Sequence, residues 1–316
     1  MSHRMNNQAI TLGANDLGLP MLIHLSRVRA QAARRITWHA HEGFELLFLL
    51  GGATAYEFAG GNTLELHGGH FLVIPPRVVH RGHQNMRSPS TLCGLAFRAE
   101  DPAEWRGTAF SAPDVASLRD DLTAAGLREH AFSPALRWLI PRLTEIVARN
   151  PTPAADPAAA LVLRSWVSVV LAEARTTLGR PRSAPKAFVA AAIEYLGRNL
   201  DQPVSMADLV RHVGFGRARL FDLFKAETGL TPHDYLQRLR VEKAGRLLRE
   251  TNLPVTEIAL TAGFNSVQYF STVFARYSGL APSVFRKAAD PPAAPAAPIN
   301  TSKPSPRPAA KPNPTR

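Results

Sequence analysis

The C-terminal third of this 316-residue chain carries an internal duplication. Residues 204–232 read VSMADLVRHVGFGRARLFDLFKAETGLTP, and residues 253–282 read LPVTEIALTAGFNSVQYFSTVFARYSGLAP. Leu209, Val210, Val213, Gly214 and Phe215 pair with Ile258, Ala259, Ala262, Gly263 and Phe264 at an offset of 49. Leu220, Leu223, Phe224, Gly229, Leu230 and Pro232 pair with Phe270, Val273, Phe274, Gly279, Leu280 and Pro282 at an offset of 50, so the second copy's turn holds one extra residue near Asn265. A short apolar helix, a Gly-centred turn and a second amphipathic helix make a helix-turn-helix unit, whose second helix fits a DNA major groove. The spacing predicts helices over 186–199, 205–212, 217–228, 232–249, 255–262, 267–277 and 282–287. At about 1.5 Å per residue the helix at 232–249 can hold two such units roughly one turn of DNA apart.

Charge distribution agrees with a polyanionic partner. The formal net charge is +12, of which residues 1–180 hold +3, residues 181–290 hold +5 and residues 291–316 hold +4. A basic balance of this kind suits nucleic acid, although a generic basic surface gives the same sum. Cys93 is the single cysteine, so no intrachain disulfide exists, as a reducing cytoplasm would favour. No run of about 18 uncharged apolar residues predicts a membrane-spanning helix, and the N-terminus lacks a secretory signal. A cytoplasmic protein without membrane contact is expected.

Residues 21–97 read as β structure, with short apolar runs such as FELLFLL (44–50), TAYEF (54–58) and FLVIPP (71–76) between Gly pairs. Strands at that spacing suggest a small sandwich or barrel. Residues 112–179 read as helical: Leu118, Leu122 and Leu127 form one stripe, Ser133 is an N-cap, and Trp138, Leu139, Leu143, Ile146 and Val147 follow at helical spacing. The run LVLRSWVSVVLAEA (161–174) is apolar on most faces, which fits either intrachain core or a dimer seam. The fold expected is α+β and multidomain: an arm (1–20), a β domain (21–110), a helical connector or dimerisation region (111–180), an all-α domain with two helix-turn-helix units (181–289) and a Pro/Ala-rich basic tail (290–316). The tail, with nine prolines and six alanines in residues 291–316, cannot build a core and is expected to be disordered.

RVEKAGRLL (240–248) and VTEIALTAGFNSVQYFSTVFARYSGLAPSVFR (255–286) resemble the linker helix and second helix-turn-helix of the AraC/XylS family of bacterial transcription regulators. The resemblance implies promoter DNA, a small-molecule effector, RNA polymerase and a second copy of the chain as partners, and activation as the output. Ile258, Ala259, Phe264, Phe270, Val273 and Phe274 read as core, Gly263 as the tight turn and Gly279 as the helix end. The chain departs from the family pattern at Val210, at Gly216 where Ser or Asn would cap, and at Thr272 and Ala275 where basic residues are common. With Leu220, Leu223 and Phe224 inward, Arg217, Ala218, Arg219, Asp222 and Lys225 are left for the groove. In the second helix the outward set is Ser266, Val267, Gln268, Ser271 and Thr272. Arginine reads guanine with two bonds, glutamine suits adenine and valine suits a thymine methyl.

TWHAHEGFELLFLLGG (37–52) and GHFLVIPPRVVH (69–80) resemble the two cupin motifs, with Arg77 where glycine is usual. His39, His41, Glu45 and His80 are the residues this resemblance brings forward, either for an effector pocket or for a divalent Mn, Fe, Ni or Zn ion. Glu45 within an apolar run needs a partner. No resident cofactor is expected from the sensor-domain resemblance, since such domains often keep these histidines without metal. No GxSxG, HExxH, CxxC or P-loop occurs, Gly214-Phe215-Gly216 lacks the third glycine of a dinucleotide loop, and His130, His212 and His233 read as surface residues. No catalytic residue is assigned. A regulator is therefore expected; a metal-dependent cupin enzyme carrying DNA-binding helices, or an effector-independent DNA-binding protein, are the alternatives.

Overall fold

A computed structural model describes residues 8–83, 86–178 and 187–288. The predicted domain boundary at 180/181 and the Pro/Ala-rich tail (290–316) lie outside the described residues.

The β domain is organised by one long strand. Strand β4 (Phe44–Phe58) alternates two apolar faces. Its first half pairs with β6 (His70–Ile74) and β9 (Ser90–Phe97); its second half pairs with β5 (Thr63–His67) and β7 (His80–Gly82). The register shifts between Leu49 and Gly51, and this bulge bends β4 from one sheet into the other and closes the barrel. β2 (Leu22–Ala30) pairs with β9, and β1 (Gln8–Leu12) pairs with β2, giving a path β1-β2-β9-β4-β6. The stretch set apart as an arm thus supplies the barrel's edge strand. A two-stranded ribbon, β3 (Arg34–Arg35) with β8 (Met86–Arg87), covers one end.

Leu47, Leu49, Tyr56, Phe58, Leu66, Leu72, Ile74 and Leu92 fill the barrel interior. Phe44, Leu46 and Phe48 point the other way, into a larger core shared with helices. Those helices are α1 (Ala14–Leu17), α2 (Ala112–Ala125), α3 (Pro134–Arg149) and α4 (Pro157–Thr177). Ser133 caps α3 by accepting from the Leu136 N–H, as its sequence position implies. The helical region also contains a strand, β10 (Glu129–Ala131), paired with β6. That pairing buries His130, which stacks on Phe71 at 5.1 Å and which burial pushes down to about 4; the expectation of a surface histidine fails there. His212 and His233 are exposed as expected. Leu127 lies beyond the end of α2 and is 37% exposed, so the stripe stops at Leu122.

Helix α4 divides the two readings of its apolar sequence between its faces. Leu163, Val167, Val170, Leu171 and Ala174 are buried in the domain core, while Leu161, Val162 and Val169 are exposed. Among the described residues it is the one helix long and apolar enough to cross a membrane, with 44% of its apolar window buried inside the protein. Glu173 accepts from Ser133 Oγ, and Arg175 pairs with Asp121 of α2.

The C-terminal domain follows the predicted helices closely: α5 (Ala187–Arg198), α6 (Met206–Val213), α7 (Arg217–Thr228), α8 (Pro232–Glu250), α9 (Val255–Thr261), α10 (Val267–Ser278) and α11 (Pro282–Lys287). Each unit has its own core, one around Leu209, Leu220 and Phe224, the other around Ile258, Phe264, Phe270 and Phe274. α8 contributes to both cores, Leu236 to the first and Val241, Ala244 and Leu248 to the second. Arg240, buried on α8, donates to the carbonyls of Leu200 and Gln202 and so ties the linker helix to the first unit.

The barrel grips both units at equivalent points. Gly229 and Gly279 end α7 and α10 in left-handed backbone conformation, with φ of 73° and 76°. The Gly52 N–H donates to the Gly229 carbonyl at 2.9 Å, and a Cβ on Gly229 would overlap the Gly52 carbonyl. A Cβ on Gly279 would overlap the Met86 methyl, and beside it the Ala33 N–H donates to the Arg276 carbonyl at 2.8 Å. Between these points Glu65 of β5 faces Arg238 of α8 at 3.5 Å.

Candidate functional site

The first recognition helix, α7, begins with two arginines and no acidic residue in its opening turn. Cations at a helix N-terminus face the positive end of the backbone dipole, a local cost that a bound anion offsets. Gly216 makes no side-chain cap, which leaves the first N–H groups of α7 open as well. The Arg217 guanidinium lies over the Phe221 ring and that of Arg219 over the Phe215 ring, so both are steered outward from the helix start. Arg217, Ala218, Arg219, Asp222 and Lys225 are all exposed, on one surface. Leu220 and Phe224 are buried as read, whereas Leu223 is half-buried.

The second recognition helix, α10, presents a neutral face. Ser266 caps it by accepting from the Tyr269 N–H, and Gln268 and Thr272 are exposed. Val267 and Ser271 are half-buried, and Val267 packs against the second unit's core, because Val267, Phe270 and Phe274 form an i, i+3, i+7 stripe. The outward assignment of Val267 is therefore corrected. Tyr269 takes its place: it is 47% exposed and sits edge-on to Phe264. The sequence reading assigned Tyr269 to neither face.

In the barrel the structure brings together all four residues singled out from the sequence. Donor atoms of His39, His41, Glu45 and His80 lie within 4.8 Å of one another. Glu45 comes from β4, His80 starts β7, and a bridge between His39 and His80 closes the cluster. Glu45 Oε2 is 3.2 Å from His80 Nε2 and 3.5 Å from His41 Nε2; Oε1 is 3.5 Å from Nε2 of His24, a member that the motif spacing did not reveal. Burial pushes the Glu45 carboxyl up, but hydrogen bonds from His24 and His80 and the charges of His80 and His41 outweigh it and hold Glu45 well below the usual carboxylate range. Burial and the neighbouring His80 lower His39; burial outweighs the attraction of Glu45 and lowers His41.

Tautomers follow from the partners. His39 Nδ1 donates to the Thr37 carbonyl at 2.8 Å and His80 Nδ1 to the Val78 carbonyl at 2.9 Å. A carbonyl accepts only an N–H, so in the neutral rings each Nε2 carries a lone pair. Glu45 Oε2 is buried 3.2 Å from His80 Nε2, a contact that is a hydrogen bond only when that nitrogen also carries a proton. Two lone-pair atoms facing each other in a dry interior need a proton or a divalent cation between them. The residues present fit such an ion.

Two clefts accompany these sites. One, of about 800 Å³, opens between α2 and α4 beside Phe110, Arg128 and Arg175. The other, of about 730 Å³, lies between the barrel and α8, α10 and α11, with Glu65, His83, Arg246 and Arg249 on its walls.

Comparison with known proteins identifies both halves. Residues 23–162 match the AraC-like ligand binding domain, and residues 209–288 match a helix-turn-helix domain. A 92-residue stretch is 39% identical to the HTH-type transcriptional activator RhaR of Cronobacter sakazakii, covering 29% of this chain and 32% of that protein. A 100-residue stretch is 30% identical to the melibiose operon regulatory protein of Escherichia coli strain K12, covering 32% of this chain and 33% of that protein. The chain thus spans about a third of the length of these curated relatives. Among solved structures, the DNA-binding domain of AdpA in complex with a target DNA superposes with a TM-score of 0.31 at 27% identity, over 33% of this chain and 92% of that one. With a match to an AraC-like ligand binding domain ahead of paired helix-turn-helix units, the chain is similar in both halves to AraC-type transcriptional regulators.

Proposed function

We propose that this protein is a cytoplasmic, effector-controlled activator of transcription that binds promoter DNA through α7 and α10 as a homodimer. The observation that carries it is the pair of exposed recognition surfaces at equivalent ends of a duplicated unit, the first with arginines crowded on a helix N-terminus. Arg217 and Arg219 read bases or hold phosphate at one groove; Gln268, Thr272 and Tyr269 approach the next. Mapping bound DNA genome-wide with the wild-type chain and with Arg217→Ala tests this. Loss of specific sites with non-specific binding retained is expected; equal loss of both reduces Arg217 to a phosphate contact.

Small-molecule binding is assigned to the barrel, next to His39, His41, Glu45 and His80, which would hold a divalent ion if one binds; such an ion would supply a Lewis-acid contact to an oxygen-bearing ligand. Metal analysis of purified protein checks this: Glu45→Gln should lower the metal content, and unchanged content excludes the site. The exposed face of α4, with Leu161, Val162 and Val169 and the stacked pair Trp138–Trp166 at its side, seats the second copy. Sedimentation should show Val169→Glu shifting dimer to monomer. RNA polymerase is the partner that turns occupancy into activation.

A further inference from the structure

Behind the histidine cluster the barrel buries a second set of polar groups. Thr54 Oγ1, Arg87 Nε and Ser90 Oγ are each buried without a hydrogen-bond partner, and the buried Tyr56 hydroxyl has only the Arg87 guanidinium beside it. They are neighbours by register. Ser90 lies opposite Gly52 on β4; Thr54 and Tyr56 follow at two-residue steps on the same inner face. Tyr56 pairs with Gly82, where a Cβ would fall 3.1 Å from the Arg87 backbone nitrogen. The Arg87 charge acts directly on the Tyr56 hydroxyl.

Arg87 is only 6% exposed, and no Asp or Glu among the described residues ion-pairs with it. The nearest barrel carboxylates are engaged elsewhere: Glu57 holds Arg81 and His83, and Glu45 holds the histidines. Opposite Arg87 on the β3–β8 ribbon stands another arginine, Arg34, also without an acidic partner among the described residues. Like charges directly across a strand pair repel, and a dry guanidinium with no counter-ion is costly. A fold keeps such an arrangement where an anion completes it. Three hydroxyls and one buried guanidinium match the donor demand of a carboxylate, and Phe58, Leu66 and Leu92 supply an apolar wall beside Tyr56.

We infer that Arg87, with the hydroxyls of Tyr56, Thr54 and Ser90, forms a buried receptor for the carboxylate of a small organic acid. The inference rests on the reading of the barrel as the effector domain and adds the chemistry of the effector. It also gives the ligand a route to the DNA-binding domain. Strand alternation turns Arg87 inward and Met86 outward, and Met86 is the residue that touches Gly279 at the end of α10.

The test uses the full chain and three acids, acetate, benzoate and octanoate, each against its amide, with thermal unfolding and DNA affinity as readouts. At a hundredfold excess over its Kd, at least one acid should raise the unfolding midpoint by about 5 °C in a saturable way while its amide does not. Arg87→Met should abolish that response and raise the midpoint of the ligand-free protein, because it removes a buried charge without a partner. Arg87→Lys should keep a weakened response. Acids and amides acting alike, no acid acting at all, or a response that survives Arg87→Met overturns the carboxylate receptor. A fall in the ligand-free midpoint of Arg87→Met marks the guanidinium as a structural prop and overturns it too. Failure of the effector reading is separate: DNA affinity would then be indifferent to every ligand that shifts unfolding.

Discussion

The two helix-turn-helix units share a frame and differ in what they place on it. The first has an uncapped recognition helix, a core with many half-buried members such as Phe188, Val210 and Phe215, and a charged face led by Arg217 and Arg219. The second has a Ser266 cap, an aromatic core of Phe264, Phe270, Phe274 and Tyr277, and a neutral face. Stability and electrostatic attraction are thus divided between the copies. A duplicated unit need not do the same task twice: on the proposed reading the second unit is the anchor and the first the charged reader.

The largest expected effect tests the anchor. Phe270→Ala should cost about 3–5 kcal/mol, seen as lost hydrogen-exchange protection across α9 and α10 with α6 and α7 still protected. Loss of protection in both units together would merge them into one cooperative body. Next, Arg219→Ala should reduce discrimination between specific and random duplex by about 1–3 kcal/mol, and Gln268→Ala by less. Reversal of that order would move the reading role to the second unit. Ser266→Ala should lower stability by about 1 kcal/mol.

Smaller again is a pH effect at the barrel contact. Burial lowers His67, but hydrogen bonds to Glu129 and Glu65 prevail and raise it above its ordinary value of 6.5. A raised folded value stabilises fully below the unfolded value and is lost as pH rises through the folded one. Unfolding midpoints of wild type and His67→Gln should therefore converge as pH climbs above neutrality, the gap below pH 6 being about 0.5 kcal/mol. A gap that widens with pH contradicts the assignment. The smallest change is Gly216→Ser, which supplies the missing cap and should add ~0.3 kcal/mol to the first unit.

The sequence makes the helical domain legible because its signals are local. Ile258, Ala259, Phe264, Phe270, Val273 and Phe274 were all placed in the core by spacing, and all are buried. Gly263 and Gly279 were placed at turns by residue type and do adopt positive φ. In the barrel, motif spacing assembled His39, His41, Glu45 and His80 but missed His24, which reaches Glu45 from a strand that is not its direct ladder partner. Tyr56 and Arg87 were invisible for the same reason: their proximity depends on the β4–β7 register and on a ribbon of two-residue strands. β10 was lost because three residues between helices carry no periodicity.

The glycines that close α7 and α10 have a consequence for how far apart the two DNA-reading helices stand. Each is kept free of a side chain by its backbone angle and again by the barrel surface pressed against it. A tandem copy of one unit left the chain with two identical handles, and the sensor holds one in each hand. The interval between the handles is thereby gauged by the barrel, and on the proposed reading a change of barrel shape would reset the phase at which the pair meets the double helix.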